Sequence, residues 1–164
     1  MNTVKESVVF VGNPGAGKST LLNALVQKVV FCSGVSIGGG LTMAAKSHEI
    51  DRVVYTDTPG LLDVHTQKQA AREIRRALQE AGCCRLFFVL TLESGRIRPV
   101  DVAVVNLVLN AIKQRDVRHS VIVNKVSDAV AEQLLTGPAG MERALGGINS
   151  GRSPFRMAAP ACCD

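Results

Sequence analysis

Gly12-Asn13-Pro14-Gly15-Ala16-Gly17-Lys18-Ser19 fits the pattern G-x-x-x-x-G-K-[ST]. The apolar run Val8–Val11 before it reads as a strand. Ser19–Val29 after it reads as a helix, with Leu21, Leu22, Leu25 and Val29 on the apolar face. Strand, glycine-rich turn and helix, in that order, are the context in which this pattern holds a phosphate. Glycines let the backbone wrap an anion with its N–H groups inward, and the helix adds the positive end of its dipole. Lys18 is expected to reach the β- and γ-phosphates of a nucleotide, and the Ser19 hydroxyl to ligate Mg²⁺. A chance glycine-rich turn would explain the glycines but not the Lys-Ser pair with both flanks right.

Working outward, apolar β-branched runs alternate with segments of helical period. Ala44–Ile50 and Val53–Thr58 read as two short strands joined at Asp51-Arg52. Gln67–Ala81 is predicted helical, with Ala70, Ala71, Ile74, Ala77, Leu78 and Ala81 at spacings of three and four and Gly82 as its stop. Arg85–Leu92 reads as a strand, and Val100–Lys113 as a helix apolar nearly all round, hence largely buried. Ser120–Val123 reads as a strand and Asp128–Leu135 as a helix. This alternation predicts an α/β fold of three layers: a mostly parallel sheet with one antiparallel edge strand, covered by helices on both faces. Residues 1–136 form the core of one domain. Residues 137–164, rich in Gly, Pro and Ala, encode their structure weakly and read as a divergent or incomplete end of it.

Two further motifs follow predicted strands, where an open α/β sheet binds its ligands. Asp57-Thr58-Pro59-Gly60 offers a carboxylate for a magnesium water and a backbone N–H, at a residue without Cβ, for the γ-phosphate. Alone it is an ordinary turn; some 40 residues after the first motif it gains weight. Asn124-Lys125-Val126-Ser127 is similar to the guanine-specificity pattern N-K-x-D, with Ser127 where the carboxylate is expected. A serine accepts one hydrogen bond where the carboxylate accepts two, and losing one costs about 1–3 kcal/mol. Asp128 either takes over that role or caps the following helix.

Composition narrows the field. The chain has 164 residues, 46% hydrophobic and 20% charged, which is ordinary globular usage for one domain. Aromatics make up only 4%, so the core must be mostly Val, Leu, Ile and Ala. The net charge of +5 suits an anionic ligand, yet the densest basic cluster, Arg72, Arg75 and Arg76, reads as a solvated helix face, and no nucleic-acid partner is expected. The 5 cysteines are odd in number, and their pairs, at 83–84 and 162–163, are adjacent rather than spaced for chelation, which argues for free thiols in a reducing, cytoplasmic setting. No stretch approaches the roughly 20 apolar residues of a membrane span. The run at Val8–Val11 is too short for a signal-peptide core.

Over residues 8–130 the motifs, in this order, resemble the P-loop GTPases of the translation-factor-related class. Gly-Ala-Gly-Lys-Ser at 15–19, Asp-Thr-Pro-Gly-Leu-Leu-Asp at 57–63, and Gly95-Arg96 followed by Asp101 look most like the immunity-associated GTPases, with the avirulence-induced GTPases and septins nearby. The resemblance implies a GTP-binding switch that uses Mg²⁺. Its nucleotide site would comprise Gly12, Asn13, Pro14, Gly15, Ala16, Gly17, Lys18, Ser19 and Thr20, then Asp57 and Gly60, then Asn124, Lys125 and Ser127 or Asp128. Lys125 would stack along the guanine. Ser19, Asp57 and a first-switch threonine would hold the metal. Thr42 suits that last place best, ahead of Ser33 and Ser36, and with Lys18 and Gly60 it would act at the γ-phosphate. Gly15 stands where potassium-stimulated members carry Asn, so potassium activation is not expected. Leu61 stands where a Gln would orient water, so hydrolysis is expected to be slow or assisted by a partner, commonly by dimerisation across the nucleotide face. The alternative is a nucleotide-binding assembly module with little turnover.

Overall fold

The computed structural model describes residues 6–32, 45–61, 71–72, 74–76, 83–112, 117–136 and 140–148. The strands are β1 (Glu6–Val11), β2 (Lys46–Ile50), β3 (Val53–Asp57), β4 (Cys83–Glu93), β5 (Arg96–Ile97) and β6 (Arg118–Asn124). The helices are α1 (Lys18–Val26), α2 (Pro99–Ile112), α3 (Asp128–Thr136) and α4 (Gly140–Leu145), and residues 71–72 and 74–76 are also helical.

β1 lies at the centre, parallel to β3 on one side and to β4 on the other. β6 runs parallel along the far side of β4, and β2 closes the opposite edge antiparallel to β3. The mostly parallel sheet with an antiparallel edge strand is therefore present. Unforeseen is the small β5, which folds back on the extended end of β4.

Period-two alternation sorts the strand residues onto two faces. Val9, Val11, Leu86, Phe88 and Leu90 pack with Ile74 and with Val104, Val105, Val108 and Leu109 of α2. Val8, Phe10 and Val89 point the other way, onto Leu22 of α1, Ala16 and Phe31. Three layers follow because each central strand is apolar on both faces.

Several helix expectations need correction. Leu25, within α1, faces outward and is 55% exposed; α1 stops at Val26, so Val29 lies beyond it and is 88% exposed. Gln27 takes a left-handed conformation (φ 54°) and ends the helix, its N–H bonding to the Ala24 carbonyl and that of Lys28 to Asn23. The Asn23 side chain then holds the exit: it accepts from the Val30 and Phe31 N–H groups and donates to the Phe31 carbonyl. Phe31 is thereby turned into the core. On α2, one side buries as expected, but Leu107 is 58% exposed. Ala71, assigned to an apolar face, is exposed, whereas Ile74 is buried. Ala70, Ala77, Leu78 and Ala81 lie outside the described residues. Arg72, Arg75 and Arg76 are all exposed, as a solvated helix face requires.

Residues 140–148 carry more structure than their composition announces. Leu145 and Ile148 are buried in the α2-side core with Met141 and Ala144 packed against it, and Asn106 of α2 donates to the Gly147 carbonyl at 2.8 Å.

The hairpin between β2 and β3 turns on Asp51 and Arg52, both left-handed (φ 51° and 66°). This two-residue turn favours glycine at its second position, and an ordinary residue in that conformation costs about 1 kcal/mol or more. Arg52→Gly and Gln27→Gly should each raise the unfolding free energy by about 1 kcal/mol, read as a higher denaturation midpoint at unchanged slope.

Candidate functional site

The three motifs meet at the carboxyl ends of β1, β3 and β6. The loop leaving β1 passes so close to β4 that a Cβ on Gly12 would stand 2.2 Å from the Val89 carbonyl oxygen. Pro14 and Gly15 are exposed at the crest, and the chain turns back through Gly17 (φ 93°) into α1. α1 starts without a side-chain cap and with no acidic residue in its first turn. Its first residue is instead Lys18. A positive helix end carrying a further cation is electrostatically incomplete, and an anion completes it.

Lys18 is buried, and its ammonium donates to the carbonyls of Gly12 (3.1 Å) and Asn13 (3.2 Å). Burial pulls its pKa below the ordinary lysine value, against the attraction of the Asp57 carboxylate, which works to raise it. Ser19 donates from Oγ to Oδ2 of Asp57 at 2.5 Å. Asp57 is buried at the end of β3, and the next residue, Thr58, is fixed by donating to the Phe10 carbonyl of β1 at 2.7 Å. A hydroxyl and a carboxylate oxygen in contact beside a phosphate loop form a hard-oxygen pair of the kind Mg²⁺ takes alongside phosphate and water. The residues therefore fit that ion, and Ser19 and Asp57 are the side chains that would hold it. Gly60 sits under Pro14, where a Cβ would come within 2.3 Å of the proline ring.

Asn124, at the end of β6, reaches across and donates to the Ala16 carbonyl at 2.9 Å, tying the third motif to the first. Lys125 is exposed and left-handed (φ 58°), with its stem lying over Gly17. The Ser127 carbonyl accepts the first helical bond of α3, from Ala131 at 2.8 Å. Ser127 thus occupies the cap position, and Asp128 is the first helical residue rather than the cap. Thr20 is exposed in the first turn of α1. Thr42, Ser33 and Ser36 lie outside the described residues.

Leu61 is buried in the α2-side core. At that position its side chain is packing material and does not face a ligand. Residues missed at the sequence level are Asn23 and, at the site itself, Asp101. The Asn13 amide nitrogen donates to Asp101 Oδ1, across 88 positions of sequence. Only the subfamily-like spacing from Gly95-Arg96 had drawn attention to Asp101.

A glycine-lined phosphate loop with a buried lysine, a serine–aspartate pair for a divalent ion and an Asn-Lys base loop define a P-loop nucleotide-binding site of the GTPase type. Residues 7–125 match the model of the 50S ribosome-binding GTPase family, and the chain belongs to that family. The chain is 34% identical over 94 residues to immune-associated nucleotide-binding protein 7 of Arabidopsis thaliana, covering 52% of this chain and 30% of that protein. It therefore spans about a third of the length of this curated relative. Two solved structures share the fold. Era in complex with MgGDPNP and nucleotides 1506–1542 of 16S ribosomal RNA matches with a TM-score of 0.58 at 22% identity, over 90% of this chain and 50% of that one. Toc33 from Arabidopsis thaliana in complex with GDP and Mg²⁺ matches with a TM-score of 0.55 at 21% identity, over 88% and 64%. Among the described residues no helix is long and apolar enough to cross a membrane.

The depressed pKa of Lys18 has a measurable consequence. A bound polyphosphate favours the ammonium and lifts the pKa again. Below the ligand-free pKa the lysine is already charged and binding moves no proton. Between the ligand-free and bound pKa values, binding takes up one proton and affinity falls as pH rises. Calorimetry in buffers of different ionisation enthalpy should show this uptake at alkaline pH and its loss as the pH is lowered.

Proposed function

We propose that this chain binds GTP and GDP with Mg²⁺ and works as a molecular switch whose own hydrolysis is slow. The observation that carries this reading is the convergence of Lys18, Ser19 and Asp57 beneath one glycine loop, with Asn124 bonded to the same loop. Lys18 and Gly60 would address the γ-phosphate, joined by Thr42 from the first switch loop. Ser19, Thr42 and Asp57 would hold the metal. The base would lie between Lys125 and the start of α3, where Ser127 or Asp128 reads its edge. No nucleic-acid partner is part of this reading. We place it in the cytoplasm.

Slow turnover follows from Leu61. A buried aliphatic side chain cannot orient an attacking water, so the missing group must come from elsewhere, and groups supplied by a partner raise such rates by several orders of magnitude. A second copy facing the nucleotide is the proposed source. The same burial supports the second reading, an assembly module that holds nucleotide with little turnover. Phosphate release per protomer separates the two: it climbs with protein concentration for a dimer-activated GTPase and stays near zero for the module.

Nucleotide choice is the decisive test. Fluorescent GTP and GDP, with Mg²⁺, should bind the wild type and not Lys18→Ala, and ATP should bind more weakly. Equal guanine nucleotide binding by both proteins would defeat the reading, and a preference for ATP would redirect it to an ATP-using enzyme. Ser127→Asp should sharpen the GTP-over-ATP preference about tenfold, the worth of one restored hydrogen bond to a charged acceptor.

A further inference from the structure

The phosphate loop is fastened from a side that the nucleotide site does not use. Asn13 is 2% exposed, and its side-chain nitrogen donates to Oδ1 of Asp101, itself 2% exposed in the first turn of α2. Arg98 closes on the same carboxylate with two parallel bonds, Nε to Oδ2 and Nη2 to Oδ1, each 3.0 Å. The Asp101 backbone N–H also bonds back to the Arg98 carbonyl at 3.0 Å, so the arginine, the helix start and the carboxylate form one rigid unit. Fork geometry of this kind fixes direction as well as charge.

From this geometry we infer that Asp101, locked by Arg98, is a positioning residue for the phosphate loop, acting through Asn13. The inference rests on the nucleotide-site reading given above. Asn13 is the hinge point of the loop: its carbonyl accepts from the Lys18 ammonium at 3.2 Å and from the Ala16 N–H at 3.2 Å. When phosphate draws Lys18 away, that carbonyl loses one of its two donors, and the tether to Asp101 keeps the peptide from swinging. It is not duplicated on the amide itself, because Asn13 Oδ1 is buried with no hydrogen-bond partner among the described residues. Pro14, the next residue, abuts Gly60. The Asn13-Pro14 pair is therefore held between α2 on one side and the Asp57–Gly60 segment on the other. Losing the α2 anchor loosens the cradle for the β-phosphate, so GDP and GTP suffer alike. The tether touches no part of the base loop, so the choice between GTP and ATP is left alone.

The test uses the full chain with Asn13→Ala, Asp101→Ala, both together, and Asp101→Asn, each confirmed folded by its thermal melt. Mg²⁺-GDP and Mg²⁺-GTP should bind each single alanine variant about ten- to a hundredfold more weakly, the range for one charge-assisted hydrogen bond. The double variant should be no weaker than the poorer single, because both remove the same link. Asp101→Asn keeps an acceptor for the amide and should recover most of the affinity. Hydrogen exchange across residues 12–17 of the nucleotide-free protein should accelerate in Asp101→Ala and Asn13→Ala and return toward wild type in Asp101→Asn. That readout needs no ligand, so it stands even if guanine nucleotides bind nowhere and the functional reading fails. A folded Asp101→Ala with wild-type affinity and wild-type exchange in the loop would overturn the inference, as would losses that multiply in the double variant. If Asp101→Ala does not fold, Asn13→Ala compared with Asp101→Asn decides: equal loss in both removes the tether from consideration.

Discussion

A lysine ammonium taken out of water, with two carbonyls as its hydrogen-bond partners among the described residues, is the constraint around which this domain is arranged. Lys18 is 6% exposed and bonds to Gly12 and Asn13. Neutral carbonyls do not repay the desolvation of a full charge, which is why its pKa sits low despite Asp57 nearby. The helix that carries it makes matters worse, since its positive end has neither a side-chain cap nor an acid. A fold tolerates such a debt where a ligand removes it. A phosphate anion seated on this loop would relieve both the lysine and the helix end.

The rest of the architecture brings backbone close to that charge. Parallel pairing of β1 with β3 and β4 sets Phe10 opposite Asp57 and Val11 opposite Phe88, so the loops leaving these strands emerge at one edge. Close approach then depends on absent side chains. Gly12 lies against the Val89 carbonyl and Gly60 against Pro14, at separations no Cβ would allow. Two polar bridges complete the frame: Asn124 to Ala16 from β6, and Asn13 to Asp101 from α2. The loop is thereby fixed to the sheet, to the base loop and to a helix on the opposite face.

What the sequence revealed of this follows a physical rule. Elements with a strong period or a dense motif were legible: the five sheet strands β1, β2, β3, β4 and β6, the phosphate loop, and the Asp57 turn. Contacts between residues far apart in sequence were not. Asn13 and Asp101 belong to separate motifs, and only the topology joins them. Val29 fits a helical stripe, but the stripe presumes a helix longer than the Gln27 stop permits. That stop is backbone geometry adopted by a residue with little preference for it, so composition gave no warning. At the other end, Gly-rich surroundings masked a usable signal: Met141, Ala144, Leu145 and Ile148 recur at the spacing of a helix face, and all four join the core.

Leu61 sets a mechanical condition on any switching at this site. It follows Gly60 directly and is buried with Val9, Val11 and Ile74 on the α2 side of the sheet. Burying a leucine side chain is worth about 1.5–3 kcal/mol. A segment that relaxes when the γ-phosphate leaves has two courses. It can pull Leu61 into water at that cost, or it can pivot at Gly60 and leave Leu61 seated. The second is cheaper, and glycine permits it. Movement would then be confined between Asp57, fixed by Ser19 and by the strand, and Leu61, fixed by the core. The residue that, on the proposed reading, leaves the site without a water-orienting side chain is also the one that anchors the segment beside Gly60. On the proposed function, slow turnover and a short travel of the switch segment would both trace to one buried residue.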